Sequence, residues 1–207
     1  VLLVLTKYTT YTILVYMVYK NDQIPDNIVR AANTLIFTRG IKGWNMDDCA
    51  GEAGITKRTL YQYIESKEKL IEFILLNFIT ETQKTITAEL SSCKDFYTGF
   101  KKIQELFPSL IIKMDALILR SIFLTYPNIE KKASDAKKDL TAGLISFLEQ
   151  GKNDGYIRKE INAETILEIL QAIVLYYIKN DPENLKHKIT DSFNAVVCGF
   201  LIKEGAQ

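Results

Sequence analysis

The chain has 207 residues, of which 47% are hydrophobic and 25% charged, with a formal net charge of +1. These values are close to the globular average, so they exclude a disordered chain, a collagen-like repeat and a disulfide scaffold. The near-zero charge also excludes a bulk attraction to nucleic acid, so any DNA-binding surface has to be local. Three cysteines without CxxC spacing indicate reduced thiols in the cytoplasm and no metal site, with a redox switch at Cys49 as the less favoured alternative.

Residues 1–23 form an N-terminal extension that is rich in Val, Leu, Thr and Tyr. Lys7 and four threonines interrupt its first part, so it is a poor membrane span, and it has no cleavage-site pattern. The first methionine is Met17, which favours a start there and a non-native stretch before it. An accessory strand or helix and a weak membrane anchor are the alternatives.

From Pro25 onward, apolar residues recur at spacings of three and four without sustained alternation, which predicts an all-α fold. Glycine, proline and asparagine punctuate the pattern, and Asn45, Ser66 and Asn162 stand where helix N-caps are expected. About nine helices are predicted, over residues 25–39, 46–53, 57–63, 66–89, 95–107, 109–125, 128–152, 163–179 and 182–203.

Residues 46–63 are predicted to form two short helices joined by a tight turn at Gly54, which is helix-turn-helix geometry. Leu60 would face the small core of this module, and polar side chains would face outward from the second helix. Such side chains can read base edges in the major groove. A surface helical hairpin without a nucleic-acid role is the alternative that this pattern alone leaves open. The outward residues are Thr56, Lys57, Arg58, Thr59, Tyr61 and Gln62.

The stretch 28–71 resembles the TetR (tetracycline-repressor-like) family of transcription regulators. The resemblance is most specific in Ala53-Gly-Ile-Thr-Lys-Arg-Thr-Leu-Tyr, followed by Tyr63 and Ser66-Lys67. It implies a three-helix DNA-binding domain at 24–68 and a helical ligand-binding and dimerisation domain at 69–207. The DNA-binding residues that it implies are Asn45, Thr56, Lys57, Arg58, Thr59, Tyr61, Gln62, Tyr63 and Lys67, with Tyr63 and Lys67 on phosphates.

Three features of this module depart from the family pattern or from a strongly basic DNA-binding surface. Trp44 stands where the family commonly has threonine, so a phosphate contact at that position is not expected. The segment Ile24 to Gln83 holds seven basic and eight acidic residues, a net charge of −1. We therefore expect modest non-specific affinity and a shallow dependence of binding on salt. Ile36 and Ile64 replace aromatic residues and are expected to be tolerated core exchanges.

The last two predicted helices are strongly apolar, and the resemblance implies that they form a four-helix interface between two copies of the chain. A core within one chain is the alternative explanation for these faces. The predicted interface residues are Ile166, Ile169, Leu170, Ile173, Tyr177, Phe193, Val197 and Phe200.

Aromatic residues in the middle helices are candidates for an effector pocket. The candidate lining residues are Phe100, Gln104, Phe107, Arg120, Phe123 and Phe147. Arg120 lies in an apolar run, and a buried cation needs a partner. An internal pair with an acid such as Asp115 is favoured over an anionic ligand.

The sequence does not indicate an enzyme. His187 is the single histidine and lies in a lysine-rich stretch, and no nucleophile, phosphate-loop or dinucleotide motif is present. The prediction is a cytoplasmic TetR-like repressor, without a cofactor or a membrane partner, that binds double-stranded operator DNA as a homodimer and responds to a small-molecule effector. The alternative is a helical ligand-binding or protein-interaction module that has lost DNA binding.

Overall fold

The computed structural model of the chain describes residues 24–112, 116–181 and 184–202, so the predictions for residues 1–23 lie outside it. In these ranges the chain forms ten α-helices and no strand, which confirms the all-α prediction. One isolated antiparallel bridge joins Ile157 and Leu201. The helices are α1 (Asp26–Arg39), α2 (Met46–Glu52), α3 (Lys57–Tyr63), α4 (Lys67–Ser92), α5 (Phe96–Ile112), α6 (Ala116–Thr125), α7 (Pro127–Ala136), α8 (Lys138–Asn153), α9 (Ala163–Asn180) and α10 (Leu185–Phe200).

Two predicted helix boundaries are wrong. Helix α5 continues through Pro108, because a proline inside a helix removes one backbone donor and kinks the axis without always ending the helix. The predicted single helix over 128–152 is two helices, α7 and α8, separated at Lys137. No glycine or proline marks this break, and it coincides with the boundary between two compact parts of the chain.

The described residues divide into two compact units. The first unit contains residues 24–82 and 117–136, so it includes α6 and α7 as well as the predicted DNA-binding module. The second unit contains residues 83–112, 116, 137–181 and 184–202.

The core of the first unit forms where α1, α2 and α3 pack together. Small residues on α1 and α2 allow close approach, and a leucine from α3 and two residues at the start of α4 complete the core. Its most deeply buried members include Ile28, Ala32, Leu35, Cys49, Ala50, Leu60, Leu70 and Ile71.

The core of the second unit is built around Phe96, which is fully buried and stacks on Phe100 and Phe147. Gly151 permits this packing, since a Cβ there would lie 2.4 Å from Cε2 of Phe96. The cluster continues into α9 and α10 through Ile166, Val197 and Phe200. Among the described residues, no helix is both long and apolar enough to cross a membrane.

Candidate nucleic-acid interface

Helix α2 begins at a capping box formed by Asn45 and Asp48. The Asn45 side chain accepts hydrogen bonds from the backbone N–H groups of Asp47 and Asp48, and the Asp48 carboxylate accepts one from the backbone of Asn45. These bonds use donors that the first turn of a helix otherwise leaves unpaired. The predicted N-cap at Asn45 is therefore confirmed. The side-chain amide oxygen of Asn45 therefore already accepts hydrogen bonds within the protein.

The turn between α2 and α3 depends on Gly54. Its φ of +69° is in the left-handed region, which residues with a Cβ disfavour. The turn closes through a hydrogen bond of 3.0 Å from the backbone N–H of Ile55 to the carbonyl of Ala50. The side-chain amide of Asn27 on α1 donates to the carbonyl of Ala53 at 2.8 Å. The turn is thereby held against the first helix, which fixes the direction of α3.

Helix α3 exposes most of the residues predicted to read DNA. Leu60 is its single residue with no exposed surface, and it anchors the helix to the core. Arg58 and Gln62 are exposed, as are Tyr61 at 44% and Tyr63 at 46%. The outer side of α3 therefore presents charged, amide and phenolic side chains to solvent, which gives it the polarity and accessibility of a contact surface.

The side chains of Thr56 and Thr59 form a hydrogen bond with each other, and the Thr56 side chain also accepts one from the backbone of α3. The Thr56 hydroxyl accepts from the backbone N–H of Thr59 at 3.1 Å and lies 2.8 Å from the Thr59 hydroxyl. Thr56 is therefore the N-cap of α3, and any contact that it makes to DNA would share a hydroxyl that already accepts from this helix.

Lys57 forms an ion pair that the sequence analysis missed. Its ammonium lies 2.7 Å from Oδ1 of Asp47, with the two side chains 58% and 61% exposed. The hydrogen bond to Asp47 raises the pKa of Lys57 above its ordinary value. An acid in the first turn of α2 and a base in the first turn of α3 are the sequence signal, because a helix-turn-helix brings these two turns together.

Lys67 also has an internal partner. Its ammonium donates to the backbone carbonyl of Trp44 and lies 4.1 Å from the centroid of the indole ring. Partial burial lowers the pKa of Lys67, as expected when a cation is removed from water. Trp44 is 4% exposed, so its indole ring is part of the buried core and also contacts the Lys67 ammonium. The phosphate contact of Lys67 stays a prediction, and it would require this ammonium to turn toward the DNA.

Cys49 is buried without exposed surface in the middle of α2. Burial and the negative charge of Glu52 raise the pKa of its thiol to about 11. Because oxidants attack the thiolate, this environment disfavours the redox switch considered for Cys49.

The residues predicted to line an effector pocket are divided between the two units. Phe100 and Phe147 belong to the aromatic core of the second unit, where Gln104 donates to Asn194 at 3.1 Å. Phe123 and Arg120 lie in the first unit. The side chain of Phe107 and the whole of Asp115 lie outside the described residues.

The prediction that Arg120 is a buried cation is wrong. Helix α6 buries Ile122 and leaves Arg120 exposed. The apolar run around Arg120 suggested burial, but only one side of α6 is covered. Water can hydrate the guanidinium, so neither an internal acid nor an anionic ligand is needed to balance it.

The predicted dimer interface needs a partial correction. Four of its residues have at most 6% of their surface exposed, because α9 and α10 turn these side chains into cores of the same chain. They leave little surface for a second copy. The four are Ile166, Phe193, Val197 and Phe200. Ile169 is 43% exposed, and Leu170, Ile173 and Tyr177 are partly buried.

Comparison with known proteins agrees with this geometry. Residues 28–74 match the family model of bacterial regulatory proteins of the tetR family. Over 154 residues the chain is 23% identical to the HTH-type transcriptional repressor KstR2 of Mycolicibacterium smegmatis, covering 70% of this chain and 73% of that protein.

Solved structures share the fold over most of the chain. The fatty acid degradation regulator FadR from Bacillus halodurans matches with a TM-score of 0.67 at 18% identity, covering 87% of this chain and 97% of that one. SmeT, the repressor of the Stenotrophomonas maltophilia multidrug efflux pump SmeDEF, matches with a TM-score of 0.69 at 15% identity, covering 89% and 94%. Residues 28–74 are therefore a DNA-binding domain of the tetR family, and the chain is a DNA-binding transcription regulator with the fold of TetR-like regulators.

Proposed function

We propose that the chain is a ligand-responsive repressor that binds operator DNA as a homodimer in the cytoplasm. The observation that carries the DNA-binding part is the exposed outer side of α3, which holds Arg58, Tyr61 and Gln62 on a helix anchored by Leu60. Arginine forks onto guanine and glutamine onto adenine, so these side chains suit base readout. KstR2 and SmeT are both named as repressors, which supports repression as the output.

The proposed dimer uses the faces of α9 and α10 that the chain itself leaves uncovered. Ile169 and Tyr176 lie seven residues apart on α9, which places them on one side of that helix, and they are 43% and 60% exposed. Helix α10 exposes the small residues Ala195, Cys198 and Gly199, which permit close helix approach. A two-fold pair of these faces would present two α3 helices to half-sites about one DNA turn apart.

The proposed effector response follows from linkage. An effector that favours a spacing of the two α3 helices unsuited to the operator weakens DNA binding, and the operator must weaken effector binding by the same factor. We place the effector site in the second unit, where Phe100, Gln104 and Phe147 of the predicted lining lie. We do not favour a module that has lost DNA binding, since Trp44 has a role in the core and the outer side of α3 stays exposed.

Selection from a random duplex library tests the proposal. The full-length wild type should enrich a sequence with two related half-sites, whose centres lie about one helical turn, roughly 10 base pairs, apart or a multiple of it. The double variant Arg58→Ala/Gln62→Ala should enrich none. The control is Arg158→Ala, an exposed arginine of the second unit, which should enrich the wild-type sequence. A wild type that enriches no sequence contradicts the proposal.

A further inference from the structure

The Lys57–Asp47 pair places a carboxylate at the edge of the DNA-reading surface. Lys57 is the first residue of α3, and the N-terminal part of such a helix is the part that approaches base edges. Both carboxylate oxygens of Asp47 lie near the Lys57 ammonium, at 2.7 and 3.0 Å. Asp47 is not needed to cap α2, because its backbone N–H bonds to Asn45 and its side chain takes no part in that cap. Its carboxylate is therefore available for another role.

The pair changes what Lys57 can bind. An ammonium has three donors, so one that faces a single carboxylate keeps donor capacity for a neutral acceptor such as O6 or N7 of guanine. A DNA phosphate is a different partner, because it brings a negative charge next to Asp47. The phosphate and the Asp47 carboxylate would both lie next to the Lys57 ammonium, and their negative charges repel each other. The pair therefore disfavours phosphate contacts by Lys57 more than base contacts.

We infer that Asp47 is a specificity-determining residue of the DNA interface, which holds Lys57 for a base contact and opposes its use on phosphates. This inference rests on the proposed operator binding and adds a role that the resemblance does not supply. It also fits the charge of the module, in which Arg39 pairs with Asp48 at 3.3 Å in the same way. Cations that are paired with acids in this module would lower its affinity for duplexes of arbitrary sequence.

The test compares Asp47→Asn with wild type on two probes, the duplex enriched by wild type and a scrambled duplex of the same length and composition. Affinities are measured by fluorescence anisotropy between about 50 and 200 mM salt, a fourfold range over which phosphate contacts change the affinity clearly. Asp47→Asn should bind the scrambled duplex about two- to fivefold more tightly, the range expected for releasing an exposed ion pair. Its salt slope on that duplex should steepen by about 1, the value for one added phosphate contact.

Affinity for the enriched duplex should change less, so the ratio of the two affinities should fall by about twofold or more. This ratio is measured on one preparation and does not depend on the fraction of active protein. In a Lys57→Gln background, adding Asp47→Asn should leave the ratio unchanged, since the carboxylate acts through Lys57.

The matched control is Glu52→Gln, which removes the same charge from an exposed side chain at the other end of α2. It should leave the ratio unchanged. An equal effect of Asp47→Asn on both duplexes, or an effect that persists in the Lys57→Gln background, overturns the inference. A wild type that does not distinguish the duplexes contradicts operator binding itself, whereas a wild-type preference that Asp47→Asn leaves unaltered contradicts this inference alone.

Discussion

At Gly54 the backbone takes a φ of +69°, and a Cβ built there would meet no atom within 4 Å. The requirement for glycine is therefore conformational and not steric. Gly51, three residues earlier and inside α2, is equally open but has no positive φ. The two glycines differ only in backbone conformation, and they form a natural pair for measuring its cost.

We predict that Gly54→Ala lowers the free energy of unfolding by about 1 kcal/mol, the cost of a left-handed alanine. Gly51→Ala should instead raise it by up to about 1 kcal/mol, because alanine is the better helix former. Urea unfolding followed by the fluorescence of Trp44, the single tryptophan, measures both. Equal effects of the two changes would refute a conformational role for Gly54.

Lys67 provides a second prediction at this scale. Lys67→Met removes the hydrogen bond to the Trp44 carbonyl and the contact with the indole ring, and it should lower the free energy of unfolding by about 1 kcal/mol. The control is Lys42→Met, an exposed lysine of the same module, which should be close to neutral. Urea unfolding of both variants makes the comparison. If Lys67→Met is as neutral as the control, the Trp44 contact contributes nothing to stability.

Among the elements, the short helices α2 and α3 were predicted to within a residue at each end. Their signals are local: Asn45 and Thr56 cap the helices, and Gly54 makes the turn. The helix through Pro108 and the break at Lys137 could not be predicted in this way, because a proline more often ends or kinks a helix and no glycine or proline marks the break. The Lys57–Asp47 pair was missed although its signal is local, since the two residues lie in the first turns of adjacent helices. Arg120 was expected to be buried because an apolar run does not show which side of its helix is covered.

An ion-pair cluster joins two elements of the first unit. The Glu72 carboxylate on α4 accepts from Lys132 on α7 at 2.6 Å and lies 3.5 Å from Lys69. The hydrogen bond from Lys132 is the largest of several causes that lower the pKa of Glu72 below its ordinary value of 4.5. A carboxyl whose folded pKa is lowered stabilises the fold above its unfolded pKa. That contribution is lost as pH falls through the lower, folded value.

We therefore predict that the free energy of unfolding of the first unit declines as pH falls below 4.5, and that Lys132→Met flattens this decline. The control Lys131→Met changes the adjacent exposed lysine and should keep the wild-type pH dependence. Urea unfolding at a series of pH values, followed by Trp44 fluorescence, makes the comparison. An identical pH dependence in both variants would show that Lys132 does not set the pKa of Glu72.

At the scale of the whole molecule, apolar periodicity in α9 and α10 predicted two buried faces without showing what covers each. Phe193, Val197 and Phe200 pack within their own chain, whereas Ile169 and Tyr176 remain exposed. A sequence pattern reports that a face is apolar and cannot distinguish a core from an interface. The proposed dimer consequently rests on the residues left uncovered after the chain has folded.

We predict that Tyr176→Asp dissociates the homodimer, because it places a charge on a face that the partner would bury. Sedimentation velocity should show a monomer. Affinity for the enriched duplex should fall by at least about a hundredfold, since two linked half-site contacts become one. The control Leu124→Asp makes a similar apolar-to-acid change in the first unit, at a side chain that is 73% exposed, and should stay dimeric. A dimeric Tyr176→Asp protein would exclude this face as the interface.

The most direct test of the central claim, that the outer side of α3 reads DNA, is the ratio of affinities of Arg58→Ala for the enriched and scrambled duplexes. Arg58 is exposed and has no ion-pair partner among the described residues, so its removal leaves the fold intact. A lost guanine contact costs about 1–3 kcal/mol at each half-site, so the preference for the enriched duplex should fall at least about tenfold. An Arg58→Ala protein with the wild-type preference would contradict the claim.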